Sequence, residues 1–210
     1  MTVKQINSEF KIILASASPR RKELLELVGI EFDIWPSDRE EKPEGTAPDE
    51  ICTSLSRMKA VDTASSIKTY NEMHRDLTTE TDILVIGADT IVVKDGEILG
   101  KPKDEADAAR MLRLLSGSVH SVFTGVTFVF MSKSGRVGEH SFYEETKVTF
   151  YPLSGEEIED YITRYEVLDK AGAYGIQSGA AAFVRSIEGD FYNVMGLPVA
   201  RVLHELIHLV

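Results

Sequence analysis

The segment that most constrains the fold is DILVIGADTIVV, residues 82–93, a nearly continuous apolar run near the middle of the chain. Its first part, Ile83 to Ile86, contains no polar residue, whereas a strand with one face in water would alternate. We therefore predict a central strand that is covered on both faces. The turn sequence Lys94-Asp95-Gly96-Glu97 then predicts a hairpin with an antiparallel partner, so we expect an α/β fold with a mixed sheet.

The remaining patterns place helices and further strands around this strand, in one domain over residues 1–210. The 210 residues, 43% of them hydrophobic, suffice for a sizeable core, and no internal repeat divides them. Strands are predicted at residues 10–15, 31–35, 121–131 and 141–151, and helices from about residues 19, 49, 105, 155 and 198. Residues 69–81 are predicted to be a polar surface excursion, and residues 172–187 to be rich in strand.

Asp89 interrupts the apolar run of the central strand. A carboxylate at such a position is costly unless it is paired, hydrogen-bonded or bound to a metal. Gly87 would permit another group to approach closely. Two interpretations stay open at this point, a carboxylate that bonds to backbone at a strand end and a functional carboxylate.

Two arginines lie at the start of a predicted helix. Ser18 and Pro19 predict its first residues, and Gly29 its end. Arg20 and Arg21 then fall in the first turn, where the free N–H groups and the helix dipole disfavour cations. A bound phosphate would offset this repulsion. The alternative is that both guanidinium groups point into solvent.

Other charges also break their local patterns. Glu40 and Glu41 lie in a charged loop, Lys59 lies within a helix, and Lys101 follows the hairpin. Each of them alone is typical of a solvated surface. Together with the two arginines they would form a site for a polyphosphate and a hard cation such as Mg²⁺.

A competing motif is HELIH, residues 204–208, which has the HExxH spacing of zinc metallopeptidases. No downstream segment offers the usual third ligand, and the pattern also fits a helix that packs Leu203 and Leu206 inward. We therefore favour the structural interpretation. Ser16 and Ser18 have no evident His-Asp partners, which argues against a serine hydrolase.

The net charge of −11 makes a nucleic-acid polymer or an anionic membrane an unfavourable partner. Cys52 is the only cysteine and no apolar signal core or membrane span is evident, so a cytoplasmic location is expected. The sequence does not determine the oligomeric state, and a homodimer is one candidate.

Six motifs occur in order along almost the whole chain. They are LASASPRRKELL, VIGADTIV, GKP, LSGSVHSVFTGV, DKAGAYGIQ and NVMGLP. This series resembles the Maf family of nucleoside triphosphate pyrophosphatases. The forms Gly87-Ala88-Asp89-Thr90 and Gly175-Ile176-Gln177 resemble its dTTP/UTP branch, since the 7-methyl-GTP branch typically has GSDQ in place of GADT.

The resemblance implies a two-lobed fold with a long mixed sheet and a central cleft, related to the inosine triphosphate pyrophosphatases. It implies hydrolysis of dTTP, UTP or modified pyrimidine nucleotides between the α and β phosphates, which yields a nucleoside monophosphate and pyrophosphate. It also implies a divalent metal cation, Mg²⁺ or Mn²⁺, as the cofactor.

Motif positions imply roles for individual residues. Asp89 matches the catalytic carboxylate that acts on water, and Glu41 with Asp89 matches the metal site, although Arg39 before the two glutamates leaves Glu40 as an alternative. The implied substrate-binding residues are Ser16, Arg20, Arg21, Lys59, Thr90, Lys101 and Gln177. Of these, Arg21, Thr90 and Gln177 match the positions tied to substrate choice.

The resemblance leaves a second class of function open, a non-catalytic nucleotide-binding regulator, because members of the family are associated with blocked septation when overproduced. A carboxylate placed beside the phosphate-binding cations favours the enzyme, since a protein that only binds phosphate has no use for it.

Overall fold

A computed structural model describes residues 2–74 and 81–209. The helices are α1 (Val3–Glu9), α2 (Pro19–Leu27), α3 (Pro48–His74), α4 (Glu105–Leu115), α5 (Gly155–Arg164), α6 (Phe191–Met195) and α7 (Val199–Leu209). The strands are β1 (Phe10–Leu14), β2 (Asp33–Ile34), β3 (Asp82–Lys94), β4 (Glu97–Leu99), β5 (Val119–Met131), β6 (Val137–Phe150) and β7 (Val184–Glu188). Two 3₁₀ turns lie at Ala171–Ala173 and Gly179–Ala182.

The strands form one mixed sheet, as the sequence predicts. Its order is β2-β1-β3-β5-β6-β7, with β4 paired to β3. The strand β1 runs parallel to β2 and β3, and the other pairs are antiparallel. Asp95 and Gly96 both have positive φ in the β3–β4 turn, which is the conformation that favours Gly and Asp there.

The long strand β3 passes through two packed regions. Leu84 and Ile86 belong to a core with α1, α2 and α7, whereas Ile83 packs with α3. Further along the strand, Val92 belongs to a second core with α4 and α5. Asp89 lies between these regions, and the two lobes leave a cleft there. The predicted α/β class, long mixed sheet and central cleft are thus confirmed.

The helix α3 approaches the sheet closely at two glycines. A Cβ atom on Gly87 would lie 2.4 Å from the carbonyl oxygen of Ser56, and one on Gly125 would lie 2.3 Å from that of Cys52. Any side chain at either position would therefore force the helix away from the sheet. Because Gly125 is the cross-strand partner of Asp89, this contact fixes α3 beside the acidic residue.

Three local predictions are wrong over part or all of their length. The segment 172–187 is strand only from Val184, whereas Ala171–Ala173 and Gly179–Ala182 form 3₁₀ turns and Gly172 has φ +67, outside the strand region. The predicted strand at 31–35 shortens to Asp33–Ile34. The helix α3 continues to His74, where an excursion was expected, and residues 75–80 lie outside the described part of the chain.

Within residues 2–74 and 81–209, no helix combines the length and apolar character needed to cross a membrane.

Candidate active site

A cleft of about 740 Å³ lies between the two packed regions, a size that suits a nucleotide. It brings together every residue to which the sequence resemblance assigns a role in catalysis or binding. They are Ser16, Arg20, Arg21, Glu41, Lys59, Asp89, Thr90, Lys101 and Gln177. Glu40 does not line the cleft. It pairs with Lys42 on the surface, so the geometry favours Glu41 over Glu40 as the second acidic residue.

The acidic centre of the cleft is held by one lysine. The Nζ atom of Lys59 lies 2.5 Å from Oδ1 of Asp89 and 2.9 Å from Oε1 of Glu41. The side chains of Lys59 and Asp89 are largely buried, whereas that of Glu41 is half exposed. Partial burial opposes ionisation of Glu41, but the hydrogen bond from Lys59 and the charges of Lys59, Lys101 and Arg21 hold its pKa below the usual value.

Arg21 is the most enclosed cation of the cleft, 9% exposed. Its Nε donates to the carbonyl oxygen of Gly196 at 2.9 Å, its Nη1 to Oγ of Ser16 at 3.0 Å and its Nη2 to Oγ1 of Thr90 at 3.2 Å. Burial lowers its pKa, and the charge of Asp89 opposes that shift. These bonds use three of the five guanidinium N–H groups, so two remain for a ligand.

The N-terminus of α2 opens onto the same cleft. Ser18 is the N-cap residue but makes no side-chain capping bond, so the first N–H groups of the helix stay open to an anion. Arg20 lies in this turn with Nη1 3.7 Å from Oδ2 of Asp169. Arg20, whose position in the first turn of a helix is unfavourable for a cation, therefore faces the cleft and a carboxylate of the other lobe.

The second lobe supplies the rim of the cleft. Lys101 and Gln177 are both exposed there. The segment that carries Gln177 is held by Tyr161, whose hydroxyl accepts the N–H of Gly175 at 3.1 Å. A ligand in the cleft would therefore meet Gln177 on a segment whose backbone is already fixed.

Three lining residues escaped the sequence analysis. Asp169 and Lys170 pair with each other at the cleft, and the Gly196 carbonyl holds Arg21. All three fall within motifs that carried the resemblance, DKAGAYGIQ and NVMGLP, but only their contacts across the cleft give them a role. The φ of +119 at Gly196, which ends α6, directs its carbonyl to Arg21.

The carboxylates of Glu41 and Asp89 fit a divalent cation bound together with a triphosphate. Mg²⁺ is typically held by one or two carboxylates, and substrate phosphates and water complete its shell. Both side chains line the cleft, and Lys59 bonds to one oxygen of each, Oε1 and Oδ1. The donor set is hard and anionic, as Mg²⁺ or Mn²⁺ requires.

The HELIH segment is occupied with other contacts. Glu205 bonds to His140 at 3.0 Å and to Arg201 at 3.3 Å, and His208 Nδ1 bonds to the carbonyl of His204. The described residues include no cluster of three His, Cys, Asp or Glu side chains able to hold a metal ion. Leu206 is buried and Leu203 packs against the same core, as the structural interpretation of the motif expects.

The chain is similar to several known proteins. The sequence matches the family described as Maf-like protein over residues 11–209. A dTTP/UTP pyrophosphatase of Agathobacter rectalis is 57% identical over 196 residues, which make up 93% of this chain and 96% of the relative. The dTTP/UTP pyrophosphatase of Lachnoclostridium phytofermentans is 49% identical, with 94% of each chain covered. Among solved structures, a HAM1 protein from Coxiella burnetii aligns with a TM-score of 0.44 and 13% identity, covering 95% of this chain and 99% of that chain.

Proposed function

Because the chain belongs to the Maf-like protein family, as its motifs predict, we propose that it is a nucleoside triphosphate pyrophosphatase. Its substrates are dTTP and UTP, the nucleotides named in its relatives, together with modified pyrimidine nucleotides. The reaction splits the bond between the α and β phosphates and releases nucleoside monophosphate and pyrophosphate.

One observation carries this proposal: Asp89 lies among the cations of the cleft. Arg20, Arg21, Lys59 and Lys101 line the same space as this carboxylate. Direct contact between this carboxylate and phosphate would be repulsive, so its place among the cations favours action on a water molecule or a metal ion rather than on phosphate itself. A base for water, held beside groups that neutralise phosphate, is the arrangement that hydrolysis needs.

In the proposed mechanism, Asp89 takes a proton from the attacking water. Lys59 donates to Oδ1 of this carboxylate. No hydrogen bond to Oδ2 is found among the described residues, so Oδ2 can accept that proton. The water oxygen forms a bond to the α phosphorus, and the bond from that phosphorus to the bridging oxygen breaks. The electron pair leaves with pyrophosphate.

The cations position the phosphates and balance the charge that develops on them. Arg20 and the open N-terminus of α2 bind phosphate oxygens on one lobe, and Lys101 does so from the other. Glu41 and Asp89 would hold Mg²⁺ or Mn²⁺, which supplies Lewis-acid stabilisation of the phosphate oxygens. Positioning and charge neutralisation account for most of the catalysis expected in such a transfer.

The test is pyrophosphate release from dTTP and UTP by the purified protein with Mg²⁺, compared with Asp89→Asn. The variant should stay folded and lose activity about 1,000-fold or more, because the amide cannot accept the proton. Nucleotide binding without pyrophosphate release by the wild type would instead favour the regulator of septation. Near-normal turnover by Asp89→Asn would show that this mechanism is wrong.

A cytoplasmic location and a homodimer stay predictions from the sequence. Cell fractionation and light scattering by the purified protein would test them.

A further inference from the structure

Thr124 of β5 is fully buried and joins two parts of the cleft wall. Its Oγ1 lies 3.0 Å from Oγ1 of Thr90 and 3.1 Å from the carbonyl oxygen of Asn193. Thr90 lines the cleft and Thr124 does not. Thr124 can therefore affect a ligand only through the residues that it contacts.

Arg21, Thr90, Thr124 and Asn193 form a chain of hydrogen bonds, and counting donors assigns the two hydroxyl hydrogens in it. A carbonyl oxygen only accepts, so the single hydrogen of Thr124 is committed to Asn193. The bond between the two threonines then requires Thr90 to donate. Thr90 in turn accepts from Nη2 of Arg21 at 3.2 Å. The donors thus run in one direction, from Arg21 through Thr90 and Thr124 to the carbonyl of Asn193.

Asn193, the last residue of this hydrogen-bond chain, is fixed by its own side-chain bonds. Asn193 is fully buried, and its Nδ2 donates to the carbonyl oxygen of Val122 and to Oγ1 of Thr146, each at 3.0 Å. These bonds attach α6 to β5 and β6. The carbonyl that takes the hydrogen of Thr124 therefore has a fixed position, and the competing acceptor for Thr90, the Gly196 carbonyl, lies farther away at 3.4 Å.

We propose that Thr124 is a positioning residue for base selection, an inference that rests on the proposed function. Thr124 accepts the hydroxyl hydrogen of Thr90. The Thr90 hydroxyl can then act toward the nucleotide only as a hydrogen-bond acceptor. Such a hydroxyl favours a base edge that presents an N–H group, as N3–H of uracil and thymine does. The N3 atom of cytosine is itself an acceptor and would face a second acceptor.

The test compares kcat/KM for UTP and CTP in Thr124→Val and Thr124→Ala, which both remove the hydroxyl, and in Thr124→Ser, which retains it. Thr127→Val is the matched control. Thr127 is also a fully buried threonine of β5, but its hydroxyl bonds to Ser56 and Ser141 and is absent from the cleft wall. Dissociation constants for UMP and CMP are measured on the same proteins.

We expect the UTP to CTP ratio to fall about threefold to tenfold in Thr124→Val and Thr124→Ala, because Thr90 regains a rotatable donor. Thr124→Ser and Thr127→Val should retain the wild-type ratio. Equal losses for both substrates in the Val and Ala variants would reduce Thr124 to a structural role and overturn the proposal. A wild-type protein that releases no pyrophosphate would contradict the proposed function but not the role of Thr124. The ratio of UMP to CMP affinity, compared between the wild type and the Thr124 variants, would still test that role.

Discussion

Lys59 Nζ contacts the carboxylates of both Asp89 and Glu41, so a single ammonium group bridges the two acids and offsets one of their two negative charges. The side chain of Asp89 is only 11% exposed. Lys59→Met would leave this carboxylate without its partner, and we expect the free energy of unfolding to fall by about 2–4 kcal/mol. We also expect kcat/KM for UTP to fall about 100-fold or more, because a phosphate-binding cation is lost. Urea unfolding and pyrophosphate release measure the two effects.

The double variant Lys59→Met with Asp89→Asn separates these effects. Removal of both charges should recover most of the lost stability, while activity stays absent. Lys68→Met is the control, since Lys68 is exposed on the same helix and lies outside the cleft. Stability that stays as low in the double variant as in Lys59→Met would contradict a charge-based origin.

Gly87→Ala should destabilise the protein by about 1–3 kcal/mol, because the added Cβ would lie 2.4 Å from a backbone oxygen and 2.8 Å from the nitrogen of Ala60. The helix α3 must then move, and Lys59 moves with it, so activity should also fall. Gly138→Ala is the control, because a methyl group added to this sheet residue would meet no atom of the described chain within 4 Å. Equal thermal stability of the two variants would exclude the close contact as a determinant of the fold.

The sequence predicted the order of the main elements because each is marked by a local signal. Such signals are formed by residues close together in the sequence. Examples are the hairpin at Asp95-Gly96, the capping box of Ser154 and Glu157, and the apolar run of β3. Residues 172–182 were mistaken for strand because small apolar residues serve equally well in tight turns that pack on a core.

The sequence named the residues of the candidate site but not their geometry. The motif resemblance selected the residues that line the cleft, and the choice between Glu40 and Glu41 needed the position of Lys59. Asp169 and Thr124 could not be found from spacing. What distinguishes them is contact with Arg20 and with Thr90, and these partners are far away in the chain.

His120 should make the fold sensitive to mild acid. Burial is the main cause that lowers its pKa to about 4, with a smaller contribution from the charge of Lys94. The ordinary histidine pKa is about 6.5, so between these values the unfolded chain binds a proton that the folded protein excludes. Stability should therefore fall as the pH drops from about 6.5 to about 4, by about 3 kcal/mol in total from this residue.

His120→Phe removes this titration and keeps an aromatic ring beside Phe150 and Tyr174. The variant loses the bond from the ring to the Tyr174 hydroxyl, so it should be less stable than the wild type at pH 7. Its unfolding free energy should nevertheless depend less on pH across this window. Parallel curves for the two proteins in urea unfolding at several pH values would exclude His120 as the origin.

Gln177 should discriminate between pyrimidine bases. Its amide lies exposed on the rim of the cleft, so no buried protein group competes with the nucleotide for its hydrogen bonds. Once a base covers it, the amide oxygen can accept N3–H of uracil or thymine while its NH2 donates to a base carbonyl. Cytosine presents the reverse pattern, so the same amide orientation would face it with like groups at a cost of about 1–3 kcal/mol. We expect a preference for UTP over CTP of about tenfold to 100-fold in kcat/KM. In Gln177→Ala this ratio should fall to about threefold to tenfold, the share that Thr90 supplies, and Gln177→Glu, which keeps the size but loses the donor, should also reduce it. If both substrates instead slow equally in Gln177→Ala, the residue only supports the segment after Gly175, and base selection belongs to Arg21 and Thr90.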